Sequence, residues 1–143
     1  MFWNHAGGNF VLEIKKKAMT NNLKILLVDD EPDILELLSY NFRKKGFEVS
    51  AALNGADGLK SLEDYHPDII IIDIMMPEMD GIEMCRNIRL MEQFKDTRVI
   101  FLSATNDVNM VIDALKAGGN HYFSKPIHMN VLINMVMGFA EVH

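Results

Sequence analysis

Four consecutive isoleucines, Ile69 to Ile72, stand between two acids in Asp68-Ile-Ile-Ile-Ile-Asp73, and Met75-Met76-Pro77 follows closely. A β-branched run with no polar alternation suits a central strand covered on both faces, which is the environment of a parallel sheet. Such a strand needs partners on each side and helices above and below. Asp73 ends it, and an ionised carboxylate there is costly unless a cation, a metal or hydrogen bonds meet it.

The surrounding chain supplies the partners. From Leu23 onward, short apolar runs alternate with helical patterns, the order expected of a parallel sheet wrapped by helices. Lys24 to Val28 reads as strand 1. Pro32 fits the first turn of helix 1, whose apolar residues Ile34, Leu35, Leu38 and Phe42 recur at helical spacing, and Gly46 closes it. Phe47 to Ala51 reads as strand 2, and Asn54 as the cap of a short helix 2 through Leu62. Strand 3 is Asp68 to Asp73, and helix 3 is Gly81 to Met91. Val99 to Leu102 form strand 4. Val108, Val111, Ile112 and Leu115 mark helix 4, stopped by Gly118-Gly119. His121 to Ser124 form strand 5, and Met129 to Glu141 helix 5. The domain is thus expected over residues 23–141.

Residues 1–22 read differently. Lys15-Lys16-Lys17 and Asn21-Asn22 look solvated, whereas Phe10, Leu12 and Ile14 alternate with polar residues as an edge strand does. Met19 offers an alternative start, so this stretch is either an N-terminal extension or an appended segment.

At 143 residues the chain suits one domain with one sizeable core. Its net charge of −6 argues against a broad nucleic-acid-binding face. Cys85 is the single cysteine, so no internal disulfide forms, which fits a reducing compartment. Its spacing from Ile82 and Ile88 marks it as a small buried hydrophobe. No apolar run approaches the ~18 residues of a membrane span, and the first residues do not form a secretory signal. The cytoplasm is the expected location.

Open parallel sheets carry their sites beyond the carboxyl ends of the strands. Here those ends bear Asp29-Asp30, Asp73, Ser103 and Lys125. Each has an ordinary explanation alone: Asp29-Asp30-Glu31 ahead of Pro32 can cap a helix, Ser103 can be a turn hydroxyl, and Lys125 a surface lysine. Convergence changes the balance. Like charges about 4 Å apart repel by roughly 4 kcal/mol at an effective dielectric of 20, and Lys125 offers one counter-charge to three carboxylates. A hard divalent cation resolves the surplus; Mg²⁺ prefers a few carboxylates with waters and a phosphate. Carboxylate, Mg²⁺, hydroxyl and lysine around one point make a phosphoryl-transfer site.

Four motifs carry a family resemblance: Ile25-Leu-Leu-Val-Asp29-Asp30-Glu-Pro, Ile72-Asp73-Ile-Met-Met-Pro77-Glu-Met-Asp-Gly81, Phe101-Leu-Ser103-Ala-Thr105 and Tyr122-Phe-Ser-Lys125-Pro126. In this order and spacing, Leu23–Glu141 resembles the receiver domain of two-component response regulators. The resemblance implies a doubly wound, flavodoxin-like α/β fold with strand order 2-1-3-4-5. It implies that Asp73 takes a phosphoryl group from a sensor histidine kinase or phosphotransfer protein, as a stoichiometric acceptor and not a turnover enzyme. It further implies Mg²⁺ held by Asp29, Asp30, Asp73 and the backbone carbonyl of Met75. Lys125 would pair with the phosphoryl oxygens, and Ser103 would bond one after transfer. Tyr122 matches the family's switch aromatic: Ser103 moves toward phosphate and the ring turns into the vacated space. The output would be a changed helix 4–strand 5–helix 5 face, read by an output domain, a protein target or a second copy, with no direct contact to nucleic acid or membrane.

Two departures stand out. Gly118-Gly119-Asn120-His121 replaces the family's usual Gly-Ala-Asp-Asp, and helix 5 contains no Arg or Lys. The second argues against dimerisation through salt bridges on that helix. Its methionines either fill the core, the simpler account, or offer an adaptable docking surface. Three rival functions are weighed. A phosphatase of the haloacid-dehalogenase type needs an acid where Met75 stands. A Rossmann nucleotide site needs glycines where Asp29-Asp30-Glu31 stands. A phosphorylation-independent interaction module on the same fold usually lacks part of the acidic cluster, which is complete here.

Overall fold

A computed structural model describes residues 23–141; the expected edge-strand pattern and extension in residues 1–22 lie outside them. The elements are β1 (Lys24–Val28), α1 (Pro32–Lys44), β2 (Glu48–Ala52), α2 (Gly55–Ser61), β3 (Ile69–Ile72), α3 (Gly81–Arg89), a 3₁₀ turn (Glu92–Phe94), β4 (Arg98–Ser103), α4 (Val108–Lys116), β5 (His121–Ser124) and α5 (Met129–Glu141). The five strands form one sheet in the order β2-β1-β3-β4-β5, and all pairings are parallel. Fold class and strand order are as expected.

The isoleucine run divides between two cores because successive strand residues point to opposite faces. Ile69 and Ile71 join Ile25, Leu27, Ile100 and Leu102 under α1 and α5, packing on Leu35, Leu38, Leu132 and Val136. Ile70 and Ile72 join Leu26, Val28, Val99 and Phe101 on the other face, against Met84, Cys85, Ile88 and Ala114. All four isoleucines are at most 2% exposed. Their burial contributes about 6–12 kcal/mol as an upper estimate, at 1.5–3 kcal/mol per side chain. Cys85 is a free, buried thiol in the second core, as its spacing suggested.

Some boundaries shift for local reasons. Phe47 belongs to the end of α1 and not to β2: its N–H donates to the Phe42 carbonyl after Gly46 at φ 95°, and its ring meets that of Phe42 edge-on. That left-handed glycine is the usual helix stop. Helix α3 ends at Arg89 and not Met91: the Leu90 and Met91 N–H groups donate three residues back, to the Asn87 and Ile88 carbonyls, and the Arg89 guanidinium gathers the carbonyls of Phe94, Thr97 and Gly118. On α5, Leu132, Ile133 and Val136 are buried, and Met129 and Met137 pack against the same core. These two methionines therefore serve the core, as the simpler account held. Among the described residues, no helix is long and apolar enough to cross a membrane.

Candidate functional site

The parallel arrangement brings the carboxyl ends of β1, β3, β4 and β5 to one edge of the sheet. The Asp73 N–H donates to the Val28 carbonyl at 2.9 Å, which extends the β1–β3 ladder and sets the Asp73 and Asp29 side chains beside each other. Both residues are buried, at 4% and 3% exposed, while Asp30 and Glu31 face solvent. Carboxylate oxygens of Asp29, Asp30, Glu31 and Asp73 all lie within 4.8 Å of one another.

The acids do not cap α1. Glu31 occupies the N-cap position with no side-chain hydrogen bond to the helix. Asp29 Oδ1 instead accepts from the Glu31 N–H at 2.9 Å, which fixes the turn leaving β1. The positive end of the α1 dipole still lies close to this cluster and favours its negative charge.

Lys125 arrives from the end of β5. Its N–H donates to the Ser103 carbonyl at 2.9 Å, and the Lys125–Pro126 peptide bond is cis. Its Nζ lies 3.0 Å from Asp29 Oδ2, 2.8 Å from Glu31 Oε1 and 3.2 Å from Asp73 Oδ2. Burial works against the ammonium charge, yet the hydrogen bonds to Glu31 and Asp29 and the charge of Asp73 hold the Lys125 pKa above its ordinary value. Burial likewise pushes the Asp29 carboxyl up, and the Glu31 N–H and Lys125 only partly offset it. Four carboxylates against one ammonium leave the pocket strongly negative.

Asp73 is oriented from both sides. Oδ1 accepts from the Met75 N–H at 3.1 Å, and Oδ2 faces Lys125. The loop holding it there closes when the Gly81 N–H donates to the Ile74 carbonyl at 2.9 Å. A Cβ on Gly81 would run into the Asp73 carbonyl oxygen, so this approach requires glycine. Met76 is buried and anchors the loop, whereas Met75 is 55% exposed beside the site.

Ser103, at the end of β4, is fully buried, and among the described residues its Oγ alone is a buried side-chain oxygen or nitrogen without a hydrogen-bond partner. An unpaired buried hydroxyl costs roughly 1–3 kcal/mol and calls for a reason. Tyr122, half-buried on β5, donates its hydroxyl to the Thr105 carbonyl at 2.7 Å, with the Ser103 carbonyl at 3.3 Å. Its ring is thus already tied to the β4–α4 loop. The Thr105 hydroxyl serves that loop as well, accepting from the Asp107 N–H at 3.1 Å.

Of the residues expected at the site, Asp29, Asp30, Asp73 and Lys125 are brought together, Met75 donates its N–H to Asp73, Ser103 ends the adjacent strand, and Tyr122 bonds the loop that follows it. Sequence reasoning missed the Glu31–Lys125 contact and the whole of the Arg89 anchor. Arg89 bonds the Asn120 Oδ1 at 3.0 Å, and Asn120 in turn bridges to the Val99 N–H at 2.8 Å. The departure at Gly118-Gly119-Asn120 was the available signal. Gly118, at φ 115°, leaves room where a Cβ would strike the Arg89 side chain. At the far end of β5, His121 stacks on Phe139 of α5 at 5.2 Å, and the Arg98 guanidinium covers the same ring at 5.5 Å.

The donor set suits a hard cation: carboxylate oxygens converge at the mouth of the pocket, and one lysine cannot balance them. The orphaned Ser103 hydroxyl, at the end of the strand next to β3, is free to donate to a further acceptor. Comparison with known proteins agrees with that chemistry. Residues 25–137 match the family described as the response regulator receiver domain. The chain is 34% identical over 124 residues to the alkaline phosphatase synthesis transcriptional regulatory protein PhoP of Bacillus subtilis, covering 85% of this chain and 51% of that one. It is 40% identical over 114 residues to the regulatory protein AtoC of Escherichia coli, covering 80% of this chain and 24% of that protein. The chain therefore spans about half, or less, of these relatives. Among solved structures, Vibrio cholerae chemotaxis protein CheY4 superposes with a TM-score of 0.78 at 26% identity, over 82% of this chain and 98% of that one. Sequence, topology and the acidic pocket agree, and the chain belongs to the response regulator receiver domain family.

Proposed function

We propose that residues 23–141 act as a phosphoacceptor on Asp73, supplied by a sensor histidine kinase or a phosphotransfer protein in the cytoplasm. One observation carries the reading. Asp73 is a buried carboxylate whose two oxygens are held by the Met75 N–H and by Lys125, and the adjacent strand ends in Ser103, whose buried hydroxyl has no hydrogen-bond partner. In the transfer, an Asp73 carboxylate oxygen attacks the phosphorus of a phosphohistidine. The new P–O bond forms as the P–N bond breaks, and the leaving imidazole nitrogen keeps the electron pair and takes up a proton.

Asp29, Asp30, the Asp73 carboxylate and the backbone carbonyl of Met75 would hold Mg²⁺, which supplies charge neutralisation for the phosphoryl oxygens when bound. The chain's own groups do the rest. Lys125 pairs with one phosphoryl oxygen. Ser103 Oγ donates to another and so gains the partner it lacks. Loss of the phosphoryl group is hydrolysis by water within the same site, so the domain is a stoichiometric acceptor and not a turnover enzyme.

The output runs through the β4–α4 loop. Ser103 immediately precedes it, Thr105 lies in it, and the Tyr122 hydroxyl is bonded to its backbone. Movement of Ser103 toward the phosphoryl group therefore moves the tether of Tyr122 and, with it, α4. That helix exposes an apolar stripe of Val108, Ile112 and Leu115, suited to a protein partner, an output domain or a second copy.

Intact-mass measurement with Mg²⁺ and acetyl phosphate tests the reading. The wild type gains one phosphoryl group and Asp73→Asn gains none. Equal gain in both, or gain in neither, refutes it. A phosphorylation-independent module would show the second pattern.

A further inference from the structure

A methionine thioether open to solvent takes up oxygen from peroxides, and the sulfoxide formed is polar where the thioether was apolar. The chain holds many methionines, yet among the described ones only Met75 is exposed, at 55%. Its neighbour Met76 is 7% exposed, and Met84 is fully buried with Cys85 in the core under α3. An oxidant in solvent therefore meets Met75 ahead of these sulfurs. Its position matters as much as its exposure. The Met75 N–H donates to Asp73 Oδ1 at 3.1 Å, so the side chain leaves the backbone at the rim of the pocket that holds Asp73.

We propose that Met75 is a modification site: its oxidation to the sulfoxide shortens the life of a phosphoryl group on Asp73. The inference rests on Asp73 being the acceptor and adds a redox control of how long it stays loaded. In the oxidation a thioether lone pair attacks one oxygen of hydrogen peroxide, and the S–O bond forms as the O–O bond breaks. Sulfur gives up two electrons. The departing hydroxide takes the proton left on the transferred oxygen and becomes water. An apolar group is thereby replaced by a strong hydrogen-bond acceptor beside the acyl phosphate. That acceptor holds a water against the phosphorus, and attack by this water breaks the P–O bond to Asp73. Enzymatic reduction reverses the change: the sulfoxide oxygen leaves as water while two thiols join as a disulfide.

Two measurements test this on the full chain. Hydrogen peroxide is added in steps, and peptide mass mapping follows each methionine. Met75 gains oxygen before any other described methionine. The protein is then loaded from acetyl phosphate with Mg²⁺, the donor is removed, and intact mass follows the phosphoryl group. Oxidised wild type loses it about two- to tenfold faster than untreated protein, the effect of one hydrogen bond on an attacking water. Methionine sulfoxide reductases with a thiol restore the untreated half-life. Met75→Leu keeps apolar bulk without sulfur, and peroxide leaves its own half-life where it was. A urea midpoint unmoved by peroxide shows that the core methionines are intact. Oxidation of Met75 no earlier than Met76 overturns the site. A half-life unchanged or lengthened by oxidation overturns the control, and a shortening shared by Met75→Leu overturns it by assigning the effect to another residue. A wild type that takes up no phosphoryl group refutes the acceptor reading itself, while the peptide map still reports the oxidation.

Discussion

Replacing Asp73 with asparagine should make the metal-free protein more stable. The carboxylate has one attraction and three repulsions. Lys125 Nζ, 3.2 Å from Oδ2, attracts it by about 5 kcal/mol at an effective dielectric of about 20. Buried Asp29, within 4.8 Å, repels it by about 3.5 kcal/mol at the same dielectric. Asp30 and Glu31 lie within that distance but face solvent, where a water-like dielectric reduces each repulsion to about 1 kcal/mol. The Coulomb terms nearly cancel. What remains is the cost of burying a charge in a side chain 5% exposed, several kcal/mol before compensation. Asparagine removes that cost and keeps an oxygen for the Met75 N–H. A net gain of about 1–3 kcal/mol follows. Urea unfolding in EDTA near pH 7.5 measures it as a higher midpoint at unchanged slope. Adding Mg²⁺ should close the gap, because the ion stabilises wild type more strongly, by about 2.7 kcal/mol at a hundred times its dissociation constant. An asparagine variant less stable than wild type in EDTA would refute the reasoning.

Three further outcomes are expected. Gly81→Ala should lose about 1–3 kcal/mol of stability, because its Cβ meets the Asp73 carbonyl and the Ile72 side chain. A thermal or urea midpoint equal to wild type would show that the β3–α3 loop yields. Met75→Asn should release phosphate from Asp73 about two- to tenfold faster, the effect of one added hydrogen bond on a positioned water. Time-resolved intact mass checks it, and an unchanged half-life would show that an amide at this position does not orient the attacking water. Tyr65 is held between the carbonyls of Ile25 and Glu48, and burial, with the charges of Glu48 and Asp68, pushes its pKa up to about 12. The folded state keeps the proton longer than the unfolded one, so this stabilisation is whole below pH 10 and fades as pH rises through 12. Urea midpoints across that window should fall less steeply in Tyr65→Phe; parallel slopes would count against the assignment.

Much of this was legible because the relevant forces are local in sequence. The isoleucine run reads as a doubly covered strand, and helical spacing in α1 named the face that packs; in α4 it did not, since Val108, Ile112 and Leu115 are exposed and Ala114 is the buried residue. Strand ends carrying Asp29, Asp73, Ser103 and Lys125 located the pocket, since parallel topology gathers those ends at one edge. Element boundaries were less legible. Phe47 reads as strand from its own properties, and only the Phe42 carbonyl and ring assign it to the helix stop. Arg89 reads as an ordinary surface cation, and its bonds go to residues as far along the chain as Gly118 and Asn120.

The chain alone thus determined the fold class, the strand order through its family motifs, and which side chains meet at the acidic edge. Apolar period and residue order suffice for that. Tertiary structure decided who partners whom there. Asp29 and Asp30 read alike in sequence, yet burial separates Asp29 from Asp30 and Glu31. The reach of Lys125 from β5 makes Glu31 its outermost contact. Charge pairing depends on distance and solvent access, and neither is set until the strands lie side by side.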